Sequence, residues 1–366
     1  MPELKVSDAD VIAALKASNG VRAEAARKLG VSTQTLHARM SRLKSEGVDV
    51  PQSGYDPGRT ARLKAGDPRP SSAPQEMEFP VLPDGKIDIR ELIERRKSEF
   101  ARKDEAQKAR KLVPVKVKTT EPIAVCLFGD PHVDDSGTDL GALQRDIEVI
   151  KATEGMYAGC IGDVQNNWIG RLARLWGEQE TTASQSWQLV EWFVHELTGK
   201  WLFMVQGNHD HWAGTGDPLR WIQKQAKVAL TGDHTVRLAL KFPNGEEVRI
   251  VARHDFPGNS MWNPSHGQLK AAHLTHHDHV LVSGHKHTGG YQMFRVPATG
   301  LLTHCLQLGS YKIWDSYADA LGLPPRLISP SATVIIDPLA GELGLVRVEH
   351  DIEAAADWLT WRRERH

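Results

Sequence analysis

Five short apolar runs, each followed at once by an Asp, Asn or His, restrict the fold of this 366-residue chain more than any other feature. In chain order, the runs are IAVCLFG before Asp130, YAGCIG before Asp163, WLFMVQG before Asn208, VRIVAR before His254 and HVLVSG before His285. Such runs are typical of buried β-strands. Segments with helical spacing lie between them, near residues 138–152, 181–198, 217–229 and 264–276. The alternation predicts an α/β domain whose polar side chains gather beyond the carboxyl ends of its strands.

The polar residues that close these runs belong to five short motifs, GDPHVDD, GDVQNN, GNHDHW, ARHDF and GHKH. Together and in this order they resemble the motifs of the calcineurin-like metallophosphoesterase superfamily, which are GDxH, GDxx, GNH[DE], a lone His and GHxH. The resemblance covers roughly residues 121–310 and implies a four-layer αββα sandwich, which we expect to span residues 119–350. Carried over position by position, it implies one metal ion held by Asp130, His132, Asp163 and His287, and a second held by Asp163, Asn208, His254 and His285.

The residue types suit this chemistry without reference to the family. Two divalent cations can neutralise a phosphate ester and acidify a bound water, so that hydroxide becomes the nucleophile. Asp163 has the two oxygens that a bridging ligand needs. His209 follows the ligand Asn208 and is the candidate general acid, as is the histidine at the matching position of the family, and we expect Asp210 to orient its ring.

The ligand set also limits the choice of metal. The three cysteines, Cys126, Cys160 and Cys305, are far apart and form no CxxC pair, which argues against a zinc knuckle or a disulfide framework. Nitrogen and oxygen ligands without thiolates point to Mn²⁺, Fe or Zn²⁺, of which we take Mn²⁺ as the first choice. Three tryptophans, Trp168, Trp212 and Trp262, lie near ligands in the sequence and could either stack on a base or pack in the core.

Residues 1–46 predict a separate module of three short helices. Ser7 and Asp10 form a capping-box pattern, Gly30 interrupts the apolar spacing, and Ser32 precedes a third segment with Leu36 at helical spacing. Ala25-Ala26-Arg27-Lys28-Leu29-Gly30-Val31-Ser32 and Thr35-Leu36 resemble the AARxLGVSxxTL pattern of Fis-type helix-turn-helix proteins. The resemblance implies DNA as the partner, with base contact by Gln34 and phosphate contacts by Arg39, Arg42 and Lys44. A protein-interaction module of three helices is the alternative.

The remaining segments divide the chain further. Residues 47–85 are rich in Pro, Gly and Ser and predict a flexible linker. Residues 86–118 mix charges with Ile and Leu and predict a charged helical connector, which leaves open a contact with a partner subunit or a homodimer. Residues 351–366 are expected to form a C-terminal tail. No run of about 18 apolar residues and no signal-type apolar segment occurs, so we expect a cytoplasmic protein without a membrane partner.

The charge distribution and two departures from related motifs bear on the substrate. Residues 1–118 hold 24 Lys and Arg against 17 Asp and Glu, although the whole chain has a net charge of −1. Protein phosphatases of the superfamily carry an arginine in GDxxDRG, whereas this chain has GDVQNNWIG, which favours phosphodiesters over phosphoproteins. Repair exonucleases of the superfamily place a histidine where this chain has Asn166.

We therefore predict a metal-dependent DNA phosphodiesterase, which would be an end-processing or endonucleolytic nuclease. The pairing of a helix-turn-helix with such a domain resembles proteins of phages and mobile elements. Two alternatives remain. One is a phosphodiesterase for small molecules or cyclic nucleotides, in which the helix-turn-helix serves assembly. The other is a non-enzymatic DNA-binding regulator with a structural metal site.

Overall fold

A computed structural model describes residues 6–51, 87–213, 216–314 and 329–365. The chain divides into two compact units, Met1–Ile87 and Asp88–His366. Most of the predicted linker, residues 47–85, lies outside the described residues. Within the described parts of the chain, no helix is both long and apolar enough to cross a bilayer.

The described residues of the front unit form three helices, as predicted: α1 (Asp8–Ala17), α2 (Arg22–Leu29) and α3 (Thr33–Ser45). The capping box forms, since the Ser7 hydroxyl accepts from the Asp10 amide at 3.2 Å and the Asp10 carboxylate accepts from the Ser7 amide at 3.0 Å. Gly30 ends α2 in the left-handed conformation that glycine tolerates best. Because the turn is short, α2 and α3 share one small core, which includes Ala25, Ala26 and Leu36.

This core continues beyond the last helix. Val50 is buried against the three helices and Val48 packs beside it. The front module therefore extends past residue 46, where the Pro- and Gly-rich composition had suggested that the linker begins.

The rear unit contains two six-stranded sheets among its described residues. The first has the order β1-β6-β7-β8-β10-β9, with β1 (Val113–Lys116), β6 (Thr235–Lys241), β7 (Glu247–Arg253), β8 (Val280–Ser283), β9 (Gly290–Arg295) and β10 (Leu302–Gln307). The second has the order β12-β11-β2-β3-β4-β5, with β2 (Ile123–Phe128), β3 (Met156–Cys160), β4 (Trp201–Val205), β5 (Thr231–Gly232), β11 (Ser331–Ile336) and β12 (Val346–Glu349).

The described residues of the rear unit also form helices before, between and after these strands. In chain order they are α4 (Ile89–Arg110), α5 (Leu140–Ala152), α6 (Ala183–Glu196), α7 (Pro218–Gln225), α8 (His266–Leu274), α9 (Glu342–Leu345) and α10 (Ile352–Arg363), with 3₁₀ turns at Gly170–Glu178 and Asp210–Trp212. The four segments with helical spacing correspond to α5, α6, α7 and α8, so that part of the prediction is confirmed.

The two sheets pack face to face, and helices cover their outer faces. One face of β2, with Val125 and Leu127, contacts residues such as Ile250 of the other sheet, in an apolar layer between the sheets. The opposite face of β2, with Cys126 and Phe128, packs under α5, α6 and α10. Helix α8 covers the outer face of the other sheet. The predicted four-layer αββα sandwich is confirmed.

The domain begins earlier and ends later than the predicted range of 119–350. Strand β1 lies in the predicted connector but pairs with β6 in parallel, so residues 113–116 belong to the sheet. The predicted C-terminal tail contains α10, whose Ile352, Ala355 and Leu359 are buried against the sheet that contains β2. Helix α4, in the range predicted as a connector, has no buried residue and carries i,i+4 ion pairs such as Arg95 with Glu91.

The burial of Val50 gives a test of the boundary of the front module. Val50→Ala removes two buried methyl groups and should lower the free energy of unfolding of this module by about 1–2 kcal/mol. The neighbouring Asp49 is exposed, so Asp49→Ala should leave it unchanged. Thermal unfolding of the full-length variants, followed by circular dichroism, makes the comparison. An unchanged midpoint for Val50→Ala would place the boundary back at residue 46.

Candidate metal centre

The five strands that end in polar residues bring those residues to one place. Strands β2, β3 and β4 are adjacent and parallel in one sheet, so Asp130, Asp163 and Asn208 follow neighbouring strand ends. Strands β7 and β8 are adjacent and parallel in the other sheet and lead to His254 and His285. Because the sheets are stacked, the two groups of loops meet at one edge of the sandwich.

Asp163 lies at the centre of these loops and belongs to two clusters of metal-ligand side chains. Its Oδ2 is 3.2 Å from His254 Nε2 and 3.9 Å from His209 Nε2. One cluster consists of His132, Asp163 and His209 and the other of Asp163, His254 and His285, with ligand atoms within 4.8 Å of one another in each. Asp163, the residue expected to bridge two metal ions, is thus the member common to both clusters, whereas the presence of His209 in a cluster was not expected.

The other predicted ligands complete the same site. His254 Nε2 lies 3.0 Å from Asn208 Oδ1 and 3.1 Å from His285 Nδ1. His287 Nε2 lies 3.3 Å from His132 Nε2 and 3.5 Å from Asp130 Oδ2. Atoms bonded to one cation at about 2.0–2.2 Å are separated by about 3.0–3.5 Å. All seven predicted ligands are therefore brought together at separations that fit metal coordination.

The donor set itself fits a cation. Asp130 Oδ1 and His132 Nδ1 are buried and have no hydrogen-bond partner within the described parts of the chain. Burial lowers the pKa of His254, but Asp163 and Asp130 outweigh it and raise that pKa to about 10. Burial and neighbouring histidines hold the pKa values of His132 and His285 below the usual range. The carboxylates of Asp130 and Asp163 thus attract positive charge to a place where His132 and His285 favour their neutral, ligating form.

The backbone around the site is strained. Eight non-glycine residues in the described ranges have positive φ, and five of them are predicted ligands: Asp130, His132, Asp163, His285 and His287. A non-glycine residue in this region costs about 1–3 kcal/mol and persists where its surroundings hold it, often at functional sites. The concentration at the ligand loops therefore supports a functional role for this edge.

Glycines in the motifs permit the close approach of the loops. A Cβ atom at Gly207 would lie 2.1 Å from Asp163 Oδ1, and one at Gly162 would lie 2.4 Å from the Gly207 amide nitrogen. Such separations are far inside van der Waals contact. The glycine before Asp163 and the glycine before Asn208 thus allow two ligand loops to touch.

Two tryptophans and a backbone carbonyl hold His209. Its ring centroid lies 5.1 Å from that of Trp168 and 4.3 Å from that of Trp212. Its Nδ1 hydrogen-bonds the backbone carbonyl of Asn166. Because a carbonyl only accepts, Nδ1 carries a proton and Nε2 faces Asp163. The orientation of His209 thus comes from Asn166.

Asp210 has a different role from the one predicted. Its Oδ2 accepts from the amides of Asp163 at 2.8 Å and Gly207 at 2.7 Å, and its Oδ1 accepts from the amide of Val164 at 3.0 Å. The carboxylate is occupied by backbone donors and does not orient the ring of His209. Asp210 instead ties together the loops that follow β3 and β4.

A further group of residues, of which sequence reasoning missed Lys312, supports the loop after β3. Asn166 donates from Nδ2 to Asp135 Oδ2 at 2.6 Å, and its amide donates to Asp134 Oδ1 at 2.8 Å. The buried Lys312 lies 3.0 Å from the same Asp135 oxygen. These contacts fix the loop whose carbonyl holds His209. Lys312 lies far from the motifs in the sequence, so nothing in the pattern pointed to it.

The predicted DNA-contacting residues lie on α3, and two of them have partners within the protein. Gln34 and Lys44 are exposed. The Arg39 guanidinium hydrogen-bonds the Val6 carbonyl. Arg42 pairs with Asp8 at 2.6 Å and lies 3.6 Å from Glu46. Of the four residues, Gln34 and Lys44 are thus the more available for contact with DNA.

A known family model matches the helices of the front unit. Residues 11–43 match the family model of the helix-turn-helix of the bacterial regulatory protein Fis family. No curated protein matches the sequence at a significant level.

The chain also aligns with parts of several solved structures. A predicted phosphoesterase from Streptococcus pneumoniae is 16% identical, with 59% of this chain and 84% of that chain covered and a TM-score of 0.29. Calcineurin-like phosphoesterase YfkN from Bacillus subtilis is 10% identical, with 67% and 97% covered and a TM-score of 0.33. Vps29 complexed with zinc from Entamoeba histolytica is 14% identical, with 62% and 97% covered and a TM-score of 0.31. At such TM-scores the alignments say nothing about activity.

The contacts of Asp210 predict a loss of stability when its carboxylate is removed. Asp210→Ala leaves three backbone amides without their acceptor. Each unsatisfied buried amide costs about 1–3 kcal/mol, so the free energy of unfolding should fall by at least about 3 kcal/mol. Asp357 is exposed on α10, and Asp357→Ala should have no effect. Denaturant unfolding in a chelator gives the measurement. Unchanged stability together with reduced turnover would restore the role of orienting His209.

Proposed function

We propose that this chain is a two-metal phosphodiesterase that acts on DNA. The observation that carries the proposal is the pair of ligand clusters that share Asp163. Asp130, His132 and His287 would hold one ion with Asp163, whereas Asn208, His254 and His285 would hold the other. When bound, two divalent ions would neutralise phosphate oxygens and make water a stronger nucleophile.

His209 supplies the proton in this proposal. Since its Nδ1 proton is held by the Asn166 carbonyl, His209 can donate from Nε2 only as the imidazolium. Its Nε2 lies 3.9 Å from Asp163 Oδ2, and the indoles of Trp168 and Trp212 pack against the ring. Nε2 is thereby placed to protonate the leaving oxygen of the ester.

The sequence of the loop after β3 supports a diester as the substrate. The GDVQNNWIG segment lacks the arginine that clamps a terminal phosphate in GDxxDRG. The arginine position is held by Asn167, whose Nδ2 donates to the His209 carbonyl at 3.0 Å. The preceding Asn166 binds Asp135 and holds the His209 ring by its carbonyl. The loop thus holds the general acid rather than a phosphate dianion, and a diester carries only one negative charge.

The front module supports DNA as the source of that diester. A module matching the Fis-family helix-turn-helix, joined to the catalytic unit by the predicted linker, would raise the local concentration of DNA near the metal centre. One observation favours the alternative of a small-molecule phosphodiesterase: Arg39 and Arg42 contact groups within the module itself. A structural metal site in a regulator would not require the environment built around His209.

The shared carboxylate predicts a specific pattern of metal loss. The wild-type protein should bind two transition-metal ions per chain, and Asp163→Ala should weaken both sites because each loses a ligand. His285→Ala should weaken one site only. Elemental analysis after gel filtration measures the occupancy. Full occupancy in Asp163→Ala would contradict the bridging position.

The role of His209 predicts a dependence on the leaving group. His209→Ala should lower turnover of DNA by roughly 10²–10⁴-fold. Bis-p-nitrophenyl phosphate has a leaving group that needs little protonation, so its hydrolysis should fall less. Metal content, measured on the same samples, must be known because His209 also lies in a ligand cluster. Equal losses on both substrates at full occupancy would rule out the acid role.

Removal of residues 1–85 tests the delivery of DNA. Hydrolysis of the chromogenic diester should survive, whereas cleavage of DNA should fall, most strongly at low salt. Each phosphate contact contributes about −0.9 to the slope of log affinity against log salt, so Arg39, Arg42 and Lys44 together steepen it by at most about 2.7. Equal DNA cleavage by both forms at low and high salt would favour the small-molecule phosphodiesterase.

A further inference from the structure

The structure separates the three tryptophans that lie near ligands in the sequence. Trp168 is buried and Trp212 is half-buried against His209. Trp262, in contrast, is 92% exposed, and the adjacent Met261 is 81% exposed. The first two are accounted for by their contacts with His209, whereas the exposure of Trp262 calls for another explanation.

The loop that carries Trp262 is held in one conformation. The Ser260 hydroxyl accepts from the amides of Trp262 at 3.3 Å and Asn263 at 3.2 Å. Asn263 Oδ1 accepts from the Ser265 amide at 3.0 Å, and its Nδ2 donates to Gln292 at 3.1 Å. A fixed backbone thus presents the indole to solvent.

This loop is also attached to the metal centre. It begins at the predicted ligand His254, at the end of β7. Lys286, which lies between the ligands His285 and His287, donates to the Gly258 carbonyl at 2.8 Å and pairs with Asp255 at 3.3 Å. Trp262 is four residues beyond Gly258 and therefore lies within about 14 Å of it. The loop that carries the exposed indole is thereby tied to the segment that carries the ligands His285 and His287.

We propose that Trp262 stacks on a base of single-stranded DNA whose backbone reaches the metal centre. The inference rests on the proposed function and names the form of its substrate. An indole face binds any unpaired base, whereas duplex bases are covered by their neighbours. Met261 and Trp262 form a patch far smaller than the roughly 800 Å² per partner of a stable protein interface. The polar Ser260 and Asn263 beside them also disfavour a lipid surface.

Binding measured in a chelator tests this stacking independently of catalysis. Fluorescence anisotropy gives the affinity of the full-length chain for labelled oligo(dT) and for a duplex of the same length. Base stacking on an aromatic residue contributes about 1–3 kcal/mol, so Trp262→Ala should weaken oligo(dT) binding by about 5- to 150-fold. Duplex binding should change by less than about twofold.

Three further variants separate stacking from other causes. Trp262→Leu keeps an apolar side chain without a ring face and should lose as much affinity as Trp262→Ala. Trp262→Phe keeps a ring and should retain most of the affinity. Trp221 is 62% exposed on α7 and provides the matched control, so Trp221→Ala should bind oligo(dT) as the wild type does.

Several results would overturn the inference. One is unchanged oligo(dT) binding in Trp262→Ala, and another is an equal loss of affinity for oligo(dT) and for the duplex in that variant. A third is an equal loss of oligo(dT) affinity in Trp262→Phe and Trp262→Leu. The last is a Trp262→Ala variant that loses binding only to anionic phospholipid vesicles. Failure of the proposed function is recognised separately. In that case the wild type with Mn²⁺ would hydrolyse neither bis-p-nitrophenyl phosphate nor DNA, whatever the binding data show.

Discussion

The organisation of the rear unit depends on the burial of one carboxylate, that of Asp163, where the loops of two sheets meet. A buried carboxylate is costly unless donors and positive charge surround it. Here Oδ1 accepts from the His209 amide at 3.0 Å and Oδ2 lies 3.2 Å from His254 Nε2. The backbone of the same residue donates to Asp210 and accepts from the His132 amide. Asp163 thus connects the loops after β2, β3, β4 and β7.

This arrangement requires strain, and the strain is balanced by rigid neighbours. The positive φ angles of the predicted ligands cost free energy and add no stability of their own. The three amide contacts of Asp210 and the glycines at 162 and 207 keep the loops in place. A cation bound between the ligands would add a compensating charge, so stability and metal affinity should depend on the same contacts. The loop around Asn166 extends this support to His209 by way of Asp135 and Lys312.

The sequence predicts those strands and helices whose local residue pattern already favours the structure that they adopt in the fold. Apolar runs with a terminal ligand became β2, β3, β4, β7 and β8, and capping residues marked α1 and α3. Strand β1 was missed because four residues that include Pro114 carry little strand signal before their partner β6 is known. The spacing of Ile352, Ala355 and Leu359 could have revealed α10. The carboxylate of Asp210 accepts from backbone amides rather than orienting the ring of His209, and no sequence pattern distinguishes these two roles.

The central claim is that one carboxylate serves two metal sites at the carboxyl ends of both sets of strands. Anomalous diffraction from a crystal soaked in Mn²⁺ tests it most directly, because the scattering locates each ion. The account predicts two peaks about 3.5–4 Å apart, with Asp163 bonded to both, His132 and His287 beside one, and His254 and His285 beside the other. A single peak, or two peaks of which only one contacts Asp163, would contradict it.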